Sequence, residues 1–289
     1  MSDQLGEVEH RLEGVDQFSS VVSAIRGIAA VRLNEAQERL KGIASYAGTV
    51  GEAISEALVL IPPHAPAPVS STSGEAHLFV MICSEQGFVG GFNMRILDTV
   101  EELLAAEANE SELFVIGNRG GAAAAERNLA ISGTLPMASH GDEVMTQANR
   151  LAEELYRRLE SRKVDRITLV HAAPGQAGQN IIQRPLIPFD FQRFPPAAPT
   201  EPPILNLPPQ DLLEALAQEY VFAEICEAIM LSYAAENEAR MYAMLSARSN
   251  IDRRHDELTA LTRRLRQEQI TSEVVELAVG AEASFGEHR

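Results

Sequence analysis

The residue types that most often carry out chemistry are few and scattered in this chain. The seven histidines lie at positions 10, 64, 77, 140, 171, 255 and 288, and no pair has metal-ligand spacing. Cys83 and Cys226 each fall in an apolar segment, so we interpret them as small core residues rather than nucleophiles. Neither G-x-S-x-G nor H-E-x-x-H occurs. We therefore predict no catalytic residue, no metal site and no cofactor site.

A glycine-rich turn at residues 84–93, SEQGFVGGFN, is the strongest candidate for a phosphate site. Glycine-rich turns between a strand and a helix do cradle phosphates. This turn lacks the Gly-Lys-Ser/Thr of a P-loop and the G-x-G-x-x-G of a dinucleotide site. We favour a tight structural turn that Asn93 caps or braces, with backbone angles at Gly90 and Gly91 that other residues avoid. Its structural residues are Gly87, Gly90, Gly91, Phe92 and Asn93.

Composition favours long helices and excludes several classes of protein. Of the 289 residues, 45% are hydrophobic but only 5% are aromatic, which suits long helices better than a thick sandwich core. The net charge of −17 at pH 7 repels nucleic acid and anionic lipid surfaces. Two cysteines exclude a disulfide framework, and no apolar run reaches about 18 residues. The N-terminus lacks the features of a signal peptide, so we predict a cytoplasmic protein.

Residues 75–205 alternate short apolar runs with helical segments. The expected strands are 77–83, 113–117, 167–172 and 180–187, and the expected helices are 91–107, 120–129 and 142–162. Alternation of this kind predicts a Rossmann-like domain in which helices cover both faces of a mostly parallel sheet.

Two long helical patterns lie at opposite ends of the chain. In residues 209–284, apolar residues recur in steps of three and four, with no proline after Pro209. The same steps run through residues 1–61, where Phe18 or Ser19 fills one inner position. Helices of this length cannot bury their stripes inside one domain. We therefore predict that they pair as a long antiparallel coiled coil.

These patterns predict an α/β fold in four parts. An N-terminal coiled-coil helix (1–61) is followed by a Pro/Ser-rich linker (62–74), the Rossmann-like domain (75–205) and a C-terminal coiled-coil helix (206–289).

The end of the second helix contains the most specific motif. Residues 270–283, ITSEVVELAVGAEA, resemble the C-terminal signature I-T-x-E-x-x-[DE]-x-x-x-G-A-x-small of the gamma subunit of rotary F-type ATP synthases. The segment Ala239-Arg240-Met241 and the pair Arg266-Gln267 also resemble parts of that family. So do the turn at 84–93 and the stretch 24–37. The resemblance therefore covers nearly the whole chain.

The resemblance implies a central rotor shaft that couples ion-driven rotation to ATP synthesis or hydrolysis and has no active site of its own. In that family the paired helices lie inside a head of alpha and beta subunits, and an epsilon subunit and a ring of c subunits adjoin the middle domain. It also implies a peripheral position on the cytoplasmic side of the inner membrane. The residues expected to contact the head are Arg266, Gln267, Ile270, Thr271, Glu273 and Glu276.

The sequence departs from the family at one group of positions and leaves other functions open. Asp16, Ser20 and Ser23 stand where the family usually has lysines, so the electrostatic contacts to the head do not carry over there. One alternative is a coiled-coil scaffold with a Rossmann-like domain and no motor. A nucleotide-dependent enzyme is another. Co-purification with alpha and beta subunits distinguishes the rotor shaft from the scaffold.

Overall fold

The computed structural model describes residues 2–61, 76–161, 164–175, 180–197 and 205–286, so the predicted linker at 62–74 lies outside the described residues. The chain forms two compact units. We call residues 1–28 with 243–289 the terminal unit, and residues 29–242 the sheet unit. The long helices α1 (Ser2–Val59) and α5 (Pro209–Gly286) each contribute to both units. The four-part division drawn from the sequence stays a prediction.

Five strands form the sheet of the sheet unit. They are β1 (Ala76–Ile82), β2 (Glu110–Ile116), β3 (Ile131–Leu135), β4 (Arg166–Ala173) and β5 (Asn180–Ile187). Their order across the sheet is β3-β2-β1-β4-β5, and only the β4–β5 pair is antiparallel. The helices between them are α2 (Phe92–Ala106), α3 (Asn118–Glu126) and α4 (Val144–Glu160). The predicted α/β fold with a mostly parallel sheet is therefore confirmed.

Helices cover both faces of the sheet because its central strands are apolar on both sides. On one face, Leu78 and Val80 of β1 share a core with α4 and with segments of α1 and α5. On the other face, Phe79 and Met81 pack with α2 and α3.

Strand β3 was missed by the sequence interpretation, which placed no element between residues 129 and 142. Its five residues, ISGTL, are too short and too polar to show a clear alternation. The strand lies at the edge of the sheet, where two of its five residues are exposed. Gly133 is required there because a Cβ at that position would lie 2.6 Å from the ring of Phe114.

The long helices bury a seam of one residue in every seven. The seam of α1 contains Val8, Val15, Val22, Ala29, Ala36, Ile43, Val50 and Ala57, and the seam of α5 contains Leu216, Ala223, Met230, Asn237, Met244, Ile251, Leu258 and Leu265. A seven-residue apolar repeat is the signature of a coiled coil. In the terminal unit Glu9 lies beside Arg266 and Ser23 beside Arg248, so the helices are antiparallel, as predicted.

At two places in α1, a small residue faces α5 and its larger apolar neighbour faces outward. The structure selects Ser19 over Phe18 as the inner residue, and the Phe18 side chain is 56% exposed. Likewise Ala29 is 1% exposed and its neighbour Ile28 is 54% exposed. Among the described residues, no helix has a segment long and apolar enough to cross a membrane.

We expect the buried histidine of β4 to make the sheet unit sensitive to acid. His171 is fully buried, and burial lowers its pKa from 6.5 to about 4. The unfolded chain therefore takes up this proton first, and stability falls as the pH drops from about 6.5 to about 4, by about 3 kcal/mol. Denaturant unfolding of the full chain at several pH values measures this loss. His171→Leu should remove most of the slope.

The control for this experiment is His140→Leu, which removes an exposed histidine of the same unit and should leave the slope unchanged. The hydrogen bond from His77 and the pairing with Arg166 lower the pKa of Glu107 to about 2, so its contribution is lost only below pH 4.5. An unchanged slope between pH 6.5 and 4.5 in His171→Leu would contradict the assignment.

Candidate functional site

The glycine-rich turn lies at the edge of the sheet where α/β proteins usually bind ligands. The strand order reverses between β1 and β4, and ligands in such folds bind beyond the carboxyl ends of the strands at this point. Residues 84–93 directly follow β1 and lead into α2. The contacts of this turn therefore decide between a ligand site and a structural joint.

Asn93 braces the turn and does not cap α2. The Ser84 backbone N–H donates to Asn93 Oδ1 at 2.9 Å, and Asn93 Nδ2 donates to Ser84 Oγ at 2.8 Å. The N-cap residue of α2 is Gly91, with no side-chain capping bond. Of the two roles expected for Asn93, bracing is confirmed.

Carboxylates of the chain itself occupy the backbone N–H groups that a phosphate would use. Glu236 of α5 accepts from the Glu85 backbone N–H at 3.3 Å. The Glu85 carboxylate accepts from the backbone N–H groups of Asn118 at 3.2 Å and of Met137 at 2.8 Å. These donors belong to the three loops that follow β1, β2 and β3. The backbone N–H groups at this edge of the sheet therefore already donate to carboxylates of the chain itself.

A buried ion pair of α5 holds the carbonyl groups of the same turn. Arg240 Nη2 lies 2.5 Å from Glu236 Oε1, and both side chains are at most 6% exposed. Arg240 also donates from Nε to the Gly87 carbonyl at 3.2 Å and from Nη2 to the Gln86 carbonyl at 3.4 Å. Burial raises the pKa of Glu236, while Arg240 opposes that rise. Helix α5 thus fills the crevice, and the turn is a joint between sheet and helix.

The backbone of the turn corrects one expectation. Gly90 has φ +56°, in the left-handed region that favours glycine, but Gly91 has φ −81°, which any residue adopts. The expectation was therefore right for Gly90 and wrong for Gly91. Phe88, with φ +62°, is also left-handed, and it is 66% exposed. Phe92, at the start of α2, is buried in the core that α2 forms with the sheet.

Both cysteines are core residues, as predicted from their segments. Cys83 is 1% exposed, and Gly120 makes room for it because a Cβ there would lie 2.1 Å from the Cys83 Cβ. Burial raises the pKa of the Cys83 thiol, and it raises that of Cys226 to about 12. Both thiols are therefore protonated at neutral pH, which disfavours a nucleophilic role.

The six residues expected to contact a partner are all exposed on α5 of the terminal unit. They are Arg266, Gln267, Ile270, Thr271, Glu273 and Glu276. Arg266 Nη2 donates to Glu9 Oε1 of α1 at 2.6 Å, and Gln269 Nε2 donates to Glu273 Oε1 at 2.9 Å. The structure lines these residues along an open helix surface rather than gathering them into a pocket. Arg266, Ile270 and Glu273 share one side, and Gln267 and Thr271 lie roughly 100° further around.

Sequence reasoning missed three apolar residues on this surface. Val274, Val275 and Leu277 are 58%, 55% and 75% exposed. Their position inside the signature at 270–283, among its polar residues, could have identified them from the sequence. Glu236 was missed as well, because an acidic residue on a helix gives no sign of burial.

Comparison with known proteins agrees with this arrangement. The model of a family described as ATP synthase matches residues 4–283, and the chain belongs to this family. Along its whole length it is similar to ATP synthase gamma chains. The Moorella thermoacetica protein is 25% identical over 282 residues, covering 96% of this chain and 98% of the relative. The Maricaulis maris protein is 29% identical over 303 residues, covering 96% and 99%.

The fold is shared with solved rotary complexes. A chain in the Euglena gracilis mitochondrial ATP synthase OSCP/F1/c-ring structure has a TM-score of 0.66 at 14% identity, covering 100% of this chain and 97% of that chain. Family membership confirms the resemblance drawn from the signature. The chain is a central rotor shaft of an F-type ATP synthase and part of a membrane-associated complex.

Substitution of the two adjacent glycines should separate the left-handed position from the ordinary one. Gly90→Val forces a branched side chain into φ +56° and should destabilise the sheet unit by more than about 1 kcal/mol. Gly91→Ala should cost less, because its φ of −81° is ordinary and its new Cβ meets the end of the long Arg95 side chain, with Nη1 at 3.0 Å. Denaturant unfolding measures both changes. Equal losses in the two variants would show that the left-handed angle is not the cause.

Proposed function

We propose that the terminal unit binds the catalytic head of the synthase through the outward apolar surfaces of both helices. The observation that carries this proposal is the exposure of large apolar residues. On α1, Phe18, Val21 and Ile28 are 56%, 51% and 54% exposed. On α5, Ile270, Val274 and Leu277 are 60%, 58% and 75% exposed.

Large apolar side chains that are more than half exposed on both helices indicate a partner. Soluble chains rarely expose contiguous apolar patches of more than a few hundred Å², and larger patches mark interaction sites. Phe18 also lines a groove of about 610 Å³ between α1 and α5, together with Val15 and Ile251. Phe18 cannot turn inward, because the seam beside it is already filled. A surrounding protein is the occupant that this surface requires.

We propose that the head forms a socket, meaning a cavity that encloses the end of α5 as a single helix. Glu9 pairs with Arg266 in an antiparallel arrangement, so Ser2, seven residues before Glu9, comes level with position 273. Among the described residues, α5 continues beyond that level to Gly286, whereas α1 begins at Ser2. A single helix with exposed apolar residues is stable only when another chain covers it.

The occupants we propose are the alpha and beta subunits of the head. An epsilon subunit and the c-subunit ring would then bind the sheet unit, with the complex on the cytoplasmic side of the inner membrane.

The coupling of rotation to catalysis follows from the asymmetry of the helix pair. Two different helices present different side chains around the axis, so rotation changes the contacts made with each catalytic subunit. Contacts that differ between states shift the nucleotide affinities of those states.

Arg266 and Gln267 are the polar residues we propose for contact with a beta subunit. Glu9 takes one N–H of Arg266, and a guanidinium has five, so most of its donors are available to a partner. Gln267 lies on a neighbouring part of the helix and offers both a donor and an acceptor. Together they can hold a carboxylate or backbone carbonyl groups of a loop in the head.

Placing charges at the end of α5 should prevent assembly with the head. Val274→Asp with Leu277→Asp would bury two carboxylates in an apolar socket, so co-purification with alpha and beta subunits should fall by about tenfold or more. The control, Val274→Ile with Leu277→Met, keeps both positions apolar and should assemble normally. Normal assembly of the charged variant would contradict the socket. Failure of the unsubstituted chain to co-purify would instead favour a scaffold without a motor.

Removing the polar pair should impair coupling and leave the fold intact. Charge-assisted hydrogen bonds are worth about 1.5–3 kcal/mol each, so ATP hydrolysis by the assembled complex with Arg266→Ala and Gln267→Ala should fall by about tenfold. Arg264→Ala is the matched control, because Arg264 is exposed on the same helix and, in the part of the chain that the structure describes, pairs with Glu268 of its own helix. Turnover and coupling equal to those of the unsubstituted complex would remove the pair from the mechanism.

A further inference from the structure

The segment that follows β5 crosses both long helices near their ends. We call residues 189–197 the strap. It is a compact turn, because Asp190 Oδ1 accepts from the Gln192 backbone N–H at 2.9 Å and the Phe194 N–H donates to the Phe191 carbonyl at 3.1 Å. It belongs to the sheet unit, as do the helix segments it contacts. The strap is therefore a direct connection from the edge strand of the sheet to those segments.

The strap reaches α1 through one aromatic ring and one backbone hydrogen bond. Phe194 is 8% exposed, and a Cβ on Gly51 of α1 would lie 3.2 Å from its ring. Glycine at position 51 is thus what allows the ring to lie against the helix. Three residues further along the strap, the Ala197 N–H donates to the Ser55 carbonyl at 3.1 Å. This bond is directional and fixes the strap along α1.

The strap holds α5 through a buried charge and an aromatic cluster. Arg193 Nη2 donates to Glu224 Oε1 at 2.8 Å, and the Glu224 side chain is 4% exposed. The Arg193 guanidinium also lies 5.5 Å from the ring centre of Tyr220. The rings of Phe194 and Tyr220 meet edge to face with centroids 4.9 Å apart. Among the described residues, Arg193 is the one cation that pairs with Glu224.

Polar contacts of this kind fix geometry in a way that the neighbouring core does not. The core between the sheet and α5 contains apolar residues such as Ile225 and Ile229, and apolar contact is non-directional. Polar contacts of Glu236 and Arg240 join α5 to the loop after β1, and the strap adds polar contacts to both α5 and α1. A buried ion pair adds little net stability, but its best-attested role is to fix register. The strap places an ion pair with a buried carboxylate, a backbone bond and an interlocked aromatic cluster where the sheet joins both helices.

We infer that the strap fixes the rotational position of the paired helices against the sheet, and that it transmits torque between them. Arg193 and Phe194 are positioning residues that act through Glu224 and Gly51. The inference rests on the proposed rotor function, because torque has meaning only in a turning shaft. Loss of the strap would let the helices turn or lag relative to the sheet while the head still hydrolyses ATP.

The test uses the whole synthase in membrane vesicles and compares ion transport with ATP hydrolysis. In the variant Arg193→Ala with Phe194→Ala, hydrolysis should stay within about twofold of the unsubstituted enzyme. Ions moved per ATP should fall by about threefold or more, because helices that turn against the sheet pass on only part of each rotation. The conservative variant Arg193→Lys with Phe194→Tyr should restore most of the transport.

Two further variants separate torque transmission from simple destabilisation. Arg193→Ala alone leaves the Glu224 carboxylate buried and unpaired, and adding Glu224→Gln should recover the melting temperature but not the transport ratio. Arg184→Ala removes a pair with Glu227 that joins β5 to α5 without contacting α1, and it should keep normal transport.

Normal transport per ATP in the strap variant would overturn the inference and leave the rotor function standing. An equal loss of transport in Arg184→Ala, or recovery of transport by Glu224→Gln, would also overturn it, because either result reports general stability. Failure of the unsubstituted chain to assemble with the head would overturn both the rotor function and this inference.

Discussion

Close packing along the seven-residue seam is the constraint on which the rest of the structure depends. Two helices can approach closely only where small side chains lie between them, and Ser19, Ala29 and Ala36 are such residues. The larger apolar residues beside them, Phe18 and Ile28, are then forced outward. The outer surface is thus apolar as a consequence of how the seam is filled. A chain built this way holds itself together and at the same time requires a partner.

The sheet shows how a ligand-binding architecture becomes a mechanical joint. The crevice at the carboxyl ends of β1 and β4 has the topology of a nucleotide site. Here Glu236 and Glu85 take the backbone N–H groups, and Arg240 takes the carbonyl groups of the glycine-rich turn. The groups that would have bound a phosphate bind helix α5 instead. Because the contacts are made within the chain, the connection between sheet and helix does not depend on the concentration of any ligand.

The sequence predicted the elements whose signal is local. The apolar runs located four of the five strands, β1, β2, β4 and β5, and the absence of the P-loop lysine disfavoured a phosphate site. It could not predict strand β3, whose short polar sequence becomes a strand only through pairing with β2. Steps of three and four could not choose between Phe18 and Ser19, since both satisfy them. The burial of Glu236 depends on Arg240 and on a turn about 150 residues away in the chain, so it is a tertiary property.

The seven-residue spacing of the seam gives the helix pair a handedness. A straight α-helix drifts by about 20° per seven residues, so keeping Met244, Ile251 and Leu258 on the seam requires the two helices to wind around each other to the left. A wound pair does not respond equally to twist in its two senses. Turning one end in the sense of the winding tightens the pair and presses the seam together, whereas the opposite turn loosens it. The torsional stiffness of the pair should therefore depend on the sense in which its two ends are twisted against each other.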